Sequence, residues 1–170
     1  MKESIGSTWL FGIVITFIVL FASIVSMSVN WSRAYKVKDE IINDIEKTHG
    51  FKQETMDSIA EYMRKVGYRS TGVCPDEQYK SVSVTGNASI TSMWNAGGTN
   101  YCVKRVDVVK KDETGATTVG SPGHISSAYY SVVVFFKLDL PVFGNIIKMD
   151  VSGETATIFG LSDQNYDVLR

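Results

Sequence analysis

Only a few residues in this sequence are of types that commonly carry chemistry, and their spacing argues against catalysis. The chain contains no G-x-S-x-G, P-loop, G-x-G-x-x-G or H-E-x-x-H motif. The acidic pairs at 39–40 and 112–113 are adjacent in sequence, and adjacent side chains do not face one another on a helix. His49 lies at a predicted helix end and His124 in a Gly/Pro-rich segment. We therefore expect a protein that is not an enzyme and has no catalytic, cofactor-binding or metal-binding residues.

The sequence has two cysteines, Cys74 and Cys102. Two cysteines are too few for the usual four-ligand zinc site, and neither histidine has ligand spacing to them. A single pair in an exported domain favours one disulfide. Closing a loop of this length would contribute roughly 3.5 kcal/mol in the chain-entropy treatment. The alternative is two unrelated buried thiols.

The longest feature of the sequence is the apolar stretch from Trp9 to Val29, and no charged residue occurs between Glu3 and Arg33. About 21 residues of helix span roughly 31 Å, which matches the hydrocarbon core of a bilayer. We expect a membrane anchor bounded by Trp9 and Val29, with Trp31 as an interfacial anchor. A cleaved secretory signal is the alternative, but the basic start is weak and no small-residue cleavage site follows.

Composition limits what remains of the chain after this anchor. The 170 residues leave about 140 for a folded part, enough for one domain. The net charge of −1 and pI near 6.1 give no electrostatic basis for nucleic-acid binding. We predict an anchor at residues 1–29 and an α+β domain at residues 30–170.

The apolar helix is expected to continue past the membrane surface as one rod from about Ser7 to Thr48, because residues 30–47 contain no Pro or Gly. Apolar residues recur in the second half of this rod at spacings of three and four, which indicates one buried stripe. The helix–sheet packing is therefore assigned to Ala34, Val37, Ile41 and Ile45 on the rod and to Val132, Val134 and Phe136 on a strand.

The rest of the pattern predicts a second helix over residues 53–66, closed by Gly67, and then a small antiparallel sheet. Strands are expected at 79–84, 101–111 and 129–140, with a last strand from 147 that is bulged at Gly153. We expect three to five strands in all. Residues 85–100 read as a long connection, 112–124 as a polar loop and 160–170 as a polar tail.

The orientation in the membrane receives conflicting signals. Arg33, Lys36 and Lys38 follow the apolar stretch, whereas only Lys2 and the terminal amine precede it. The positive-inside rule would place the large domain in the cytoplasm. The cysteine pair and the Gly/Ser/Thr-rich strands indicate export.

Three stretches carry a resemblance to a known family: ESIGSTWLFGIVITFIVLF, SRAYKVKDEIINDIEK and YYSVVVFFKLDLPVFGNIIKMDVSGETATI. Together they resemble pilins and pseudopilins of the type IV filament superfamily, and most closely the TadE-like group of tight-adherence pilus proteins. The resemblance implies a pilin-like fold, a cell-membrane anchor and an extracytoplasmic domain. The implied partners are the bilayer and other pilin-like or pilus-assembly proteins, or further copies of this chain. They would pack on the helix at its small residues Gly6, Gly12, Ala22, Ser23 and Ser26.

The sequence departs from the family in one respect. Family prepilins carry a Glu five residues after the Gly cleavage point, whereas Gly6 is followed by Ser7, Thr8, Trp9, Leu10 and Phe11. We therefore expect an uncleaved structural component of a pilus or secretion apparatus. One alternative is a subunit that polymerises into the filament. Another is an anchored ligand-binding or sensor module that uses residues 85–100 and 112–124 as its binding edge.

Overall fold

A computed structural model describes residues 2–84, 88–91, 97–108, 126–140, 144–161 and 168–169. Within these ranges the chain is an α+β protein with one long N-terminal helix, one short helix and one antiparallel sheet. The elements are α1 (Lys2–Lys47), α2 (Gln53–Lys65), β1 (Lys80–Ser83), β2 (Ser89–Thr91), β3 (Tyr101–Val108), β4 (Ser126–Leu140), β5 (Gly144–Glu154) and β6 (Ile158–Leu161).

Helix α1 runs unbroken for 46 residues, or about 69 Å at 1.5 Å per residue. The continuous rod is therefore present, and it begins a few residues before the predicted Ser7. It ends where His49 and Gly50 adopt positive φ values and the Gly50 amide donates to the carbonyl of Ile45 at 3.0 Å. This reversal brings the chain back toward α1 as helix α2.

Helix α2 ends in a Schellman motif at the predicted glycine. Gly67 has φ +67°, its amide donates to the carbonyl of Arg64, and the Tyr68 amide donates to the carbonyl of Met63. This pair of bonds is the usual helix-ending arrangement that requires a left-handed residue. Tyr68 is thereby fixed in position beside the sheet.

The sheet has the strand order β2-β1-β3-β4-β5, with every neighbouring pair antiparallel, and β6 also pairs with β4. Strand β4 is the longest of the described strands, with 15 residues, and it pairs along both of its edges. Because Ala128 pairs with Asp107 of β3 as well as with Ile158 of β6, β6 must lie on the edge of β4 that β5 occupies. Strands β5 and β6 therefore pair with the same edge of β4, one after the other.

One face of the sheet packs against the helices. The four stripe residues of α1 are at most 1% exposed, and the chosen residues of β4 are at most 3% exposed. Val37, Ile41 and Ile45 share a cluster with Val132 and Val134, whereas Ala34 packs with Phe136 nearer the apolar end of α1. Stripe and strand thus meet along the length of β4, which runs antiparallel to α1.

The other face of the sheet is also covered, which the sequence pattern did not indicate. Cys74, Cys102, Val133 and Phe135 form a separate buried cluster, with Tyr79 packed against it. The segment after α2 lies across this face, and a Cβ added at Gly72 would come within 2.3 Å of the Phe135 ring. The fold therefore has three layers: helices, sheet and an irregular covering segment.

Several predicted details of the sheet were wrong. Among the described residues the sheet has six strands, because Ser89–Thr91 pairs with β1 inside the expected 85–100 connection and the end of the expected last strand forms the separate strand Ile158–Leu161, which reaches two residues into the expected tail. The tail also returns to the core, since the Val168 amide donates to the carbonyl of Phe51 and Leu169 packs on the main cluster. Residues 109–125, including the predicted 112–124 loop and the end of the 101–111 strand, lie outside the described residues.

The predicted bulge at Gly153 was also wrong. Gly153 pairs regularly with Val132, and the ladder is interrupted at residues 155–157 instead. There the Thr155 amide donates to the carbonyl of Tyr130, and the Tyr130 amide donates to Thr155 Oγ1. The threonine hydroxyl thus takes the place of a backbone acceptor. As a result the buried side chains change from odd-numbered residues such as Val151 to the even-numbered Ile158. A register shift also occurs between Leu138 and Asp139.

Two tyrosines at the core differ in how their hydroxyl groups are satisfied. Tyr68 Oη donates to the carbonyl of Phe135, whereas Tyr101 Oη is buried with no hydrogen-bond partner among the described residues. Burial raises the pKa of both hydroxyl groups above the usual tyrosine range. For Tyr101 the nearby Asp57 charge raises the pKa further, and for Tyr68 the bonds to Phe135 and Ser70 oppose the rise.

We expect this difference to appear in stability. Tyr101→Phe removes an unsatisfied buried group and should raise the free energy of unfolding by about 1 kcal/mol. The matched change Tyr68→Phe removes a satisfied donor and should lower it by about 1 kcal/mol. Denaturant unfolding of the full chain in detergent micelles measures both. A loss of stability in Tyr101→Phe equal to that in Tyr68→Phe would contradict the assignment of an unpartnered hydroxyl.

Candidate functional site

The first candidate site is the bare N-terminal half of α1. It is the one helix, among the described residues, that is long and apolar enough to span a membrane, and none of its most apolar stretch is buried against the rest of the chain. Large side chains lie fully outside the fold, such as Trp9 at 74% and Ile18 at 62% exposed. A continuous exposed apolar surface of this size marks a site of interaction with a membrane or with another protein.

One face of this bare segment has a shallow groove. Thr8, Gly12 and Thr16 recur every four residues and so form one row along the helix, flanked by the larger Trp9, Ile13 and Phe17. A Cβ added at Gly12 would meet no atom within 4 Å. The row is a small-xxx-small pattern, which allows two membrane helices to approach closely. Gly12 was among the small residues predicted from the sequence. The sequence analysis did not identify the row as a whole, although Thr8 and Thr16 lie four residues before and after Gly12.

Three hydroxyl groups of the bare segment donate hydrogen bonds to carbonyl groups of the same helix. Thr16 Oγ1 donates to the carbonyl of Gly12 at 2.9 Å, and Ser23 Oγ donates to the carbonyl of Val19 at 2.8 Å. Ser28 Oγ does the same with Ile24 at 3.0 Å. These bonds satisfy the hydroxyl donors without water, so the polar interruptions are compatible with an apolar environment.

The second candidate site is a ring cluster where α1 changes from bare to packed. Of the three predicted anchor residues, Trp9 and Val29 lie exposed on the bare segment, and Trp31 lies just beyond it. The Trp31 ring stacks on Tyr35 at 6.0 Å and lies 6.1 Å from the Phe136 ring of β4. Phe136, the last of the predicted packing residues, therefore links the sheet to this aromatic cluster.

The third candidate is the disulfide. Cys74 and Cys102 are bonded, with Cα atoms 5.7 Å apart, so the expectation of a single disulfide is confirmed. Both sulfurs are buried, at 2% and 0% residue exposure. The bond ties the covering segment to the first residues of β3. Tyr79 Oη and Ser131 Oγ lie 3.0 Å apart, and Lys104 Nζ approaches the Tyr79 ring at 5.5 Å, so the same segment has further contacts to the sheet.

The residues that could have carried chemistry are not brought together. His49 is exposed at the end of α1, and its own backbone has a positive φ. Among the described residues, no group of three or more His, Cys, Asp or Glu side chains could hold a metal ion. His124 lies outside the described residues.

Comparison with protein-family models, with curated proteins and with solved structures finds no match to this chain. Function must therefore be argued from the geometry of the helix, the sheet and their junction.

Loss of the disulfide should be costly because the bond closes a loop with a sequence separation of 28. We expect the Cys74→Ala/Cys102→Ala variant to lose about 3.5 kcal/mol of unfolding free energy. Reduced wild-type protein should lose a similar amount, since it keeps both side chains and lacks only the bond. Equal stability of the oxidised and reduced protein would show that the covering segment is held by packing alone.

Proposed function

We propose that the chain is a membrane-anchored, pseudopilin-like structural component of a bacterial pilus or secretion apparatus, with its α+β domain on the extracytoplasmic side. The observation that carries this proposal is the division of one helix. The first half of α1 leaves its apolar side chains bare, and the second half provides the central helix of the domain core.

The division of α1 has a mechanical consequence that suits such a component. A helix of 46 residues without a break transmits the position of its membrane segment directly to the domain. The Ala34–Ile45 stripe is fully buried, so the domain cannot rotate about the helix without losing its core. A subunit of this kind holds its sheet at a fixed distance from the membrane and at a fixed angle to it, as the resemblance to TadE-like proteins implies.

The disulfide supports the extracytoplasmic orientation. Stable structural disulfides form mainly in oxidising compartments outside the cytoplasm. The bond is buried and ties the covering layer to the sheet, so the fold uses it as a structural tie. The buried disulfide is stronger evidence of orientation than the basic residues, because only three cations follow the apolar stretch.

The partner surface in this proposal is the row Thr8, Gly12 and Thr16. Helices associate in lipid by close packing, and a row of small residues permits it. The open space at Gly12 means that a larger side chain there would not disturb the folded domain. The row can therefore be tested separately from folding.

A photo-cross-linking amino acid at Thr16 should capture another protein with an N-terminal apolar helix, and mass spectrometry should identify it as a pilus or secretion component. The same probe at Val14, about 200° around the helix, should not capture it. Gly12→Leu should abolish the Thr16 product, whereas Val25→Leu, which enlarges a side chain about 140° around the helix from Gly12, should not.

The outcomes separate the candidates. Equal capture at both positions, or none at either, would mean that α1 is only an anchor, and the proposal would fail. Capture of further copies of this chain, together with its recovery in bulk from sheared surface material, would identify a filament-forming subunit instead.

A further inference from the structure

A cationic pocket lies at the junction between the bare and packed halves of α1. It has a volume of about 310 Å³ and is lined by Asn30 and Arg33 of α1, by Tyr68 and Arg69 of the turn after α2, and by Phe136 and Lys137 of β4. These residues come from three distant parts of the sequence. No function described above uses the pocket.

The pocket forms because β3 is shorter than β4. Strand β3 begins at Tyr101, which pairs with Val134, so the next residues of β4 have no β3 neighbour. The turn after α2 takes that place, with Tyr68 Oη donating to the carbonyl of Phe135. The Schellman motif at Gly67 fixes this turn, and Arg69 is thereby brought beside Arg33 and Lys137.

The charge in the pocket is unbalanced. Three of its lining residues are cationic, and none of the described residues that line it is acidic. Arg33, Arg69 and Lys137 make no ion pair within the described part of the chain. These three cations share one pocket that has no acidic lining residue in the described part of the chain, and a bound anion would offset their mutual repulsion.

The position of the pocket along the axis of α1 indicates what kind of anion would bind in it. Asn30 and Arg33 follow Val29, the last residue of the apolar stretch, within about one turn of helix. The Trp31 and Phe136 rings lie at the same level, and aromatic side chains of this kind sit among lipid headgroups. A helix that spans the bilayer through Trp9–Val29 would therefore hold the pocket at the level of the phosphates.

We propose that this pocket binds the phosphodiester of one anionic phospholipid in the leaflet next to the α+β domain. The guanidinium groups of Arg33 and Arg69 suit the planar, two-point recognition of a phosphate, and Lys137 adds a third charge. The acyl chains of the same lipid lie along the bare segment of α1. The inference rests on the proposed membrane anchoring and adds a specific lipid contact that fixes how deep the domain sits.

Native mass spectrometry of the full chain in mixed micelles tests this directly. Wild-type protein should retain one phosphatidylglycerol at least about tenfold more tightly than phosphatidylcholine, since each basic residue near a membrane surface adds to anion affinity. The Arg33→Gln/Arg69→Gln variant should lose this preference. Lys137→Gln should weaken it without altering either arginine.

The matched control is Lys36→Gln/Lys47→Gln. It also removes two positive charges, both of them on α1, and Lys36 lies only three residues beyond Arg33 but outside the pocket. The control should keep the lipid preference. An equal loss in the control and in the arginine variant would show general attraction by basic residues, and the pocket assignment would be overturned.

Two further measurements separate the possible failures. Inorganic phosphate should not displace the bound lipid, because it has no acyl chains; displacement at equal concentration would identify a small-anion site instead. Alkaline carbonate extraction of cell membranes reports on the anchor itself. A wild-type protein that resists extraction but shows no lipid preference would overturn this inference alone, whereas a protein released by carbonate would overturn the anchoring.

Discussion

The whole structure depends on one constraint: a single helix must satisfy two different surroundings without a break. In its first half the side chains are mostly apolar, and none of the most apolar stretch is buried by the chain. In its second half only one stripe is apolar, and that stripe is fully buried against β4. A helix can do both because its backbone bonds are internal and do not depend on what surrounds it. The domain is then attached by its core and not by a flexible linker.

The rest of the fold completes the burial that this helix begins. Helix α2 folds back onto α1 and adds Met56, Ile59 and Met63 to the same cluster. The sheet closes that cluster on one side, and the covering segment closes the sheet on the other. The disulfide gives this irregular segment a covalent tie to the sheet, in addition to the isolated bridge between Gly72 and Thr99.

The elements with a strong period could be predicted from the sequence. Ala34, Val37, Ile41 and Ile45 are spaced for one helical face, and Val132, Val134 and Phe136 alternate onto one face of β4, so the burial of these side chains followed from periodicity. The covering layer could not be predicted, because residues 68–79 have no period and Gly72 carries no side chain to signal its contact. The parity change near Thr155 was visible, but its cause, a hydroxyl in place of a backbone acceptor, was not.

The candidate sites divide in the same way. The bare helix is one continuous apolar stretch, and two cysteines can form only one pair, so the sequence indicated both. The cationic pocket joins Arg33, Arg69 and Lys137, which are far apart in sequence and meet only because β3 ends early. No local pattern marks a site made by the unequal length of two strands.

The central claim is that the bare helix crosses the membrane and leaves the disulfide-bonded domain outside the cytoplasm. The most direct test is labelling of Cys74 and Cys102 on intact cells with a membrane-impermeant maleimide, before and after mild reduction. The account predicts labelling on intact cells only after reduction. Labelling that requires broken cells and needs no reduction would place the domain in the cytoplasm with free thiols and would contradict it.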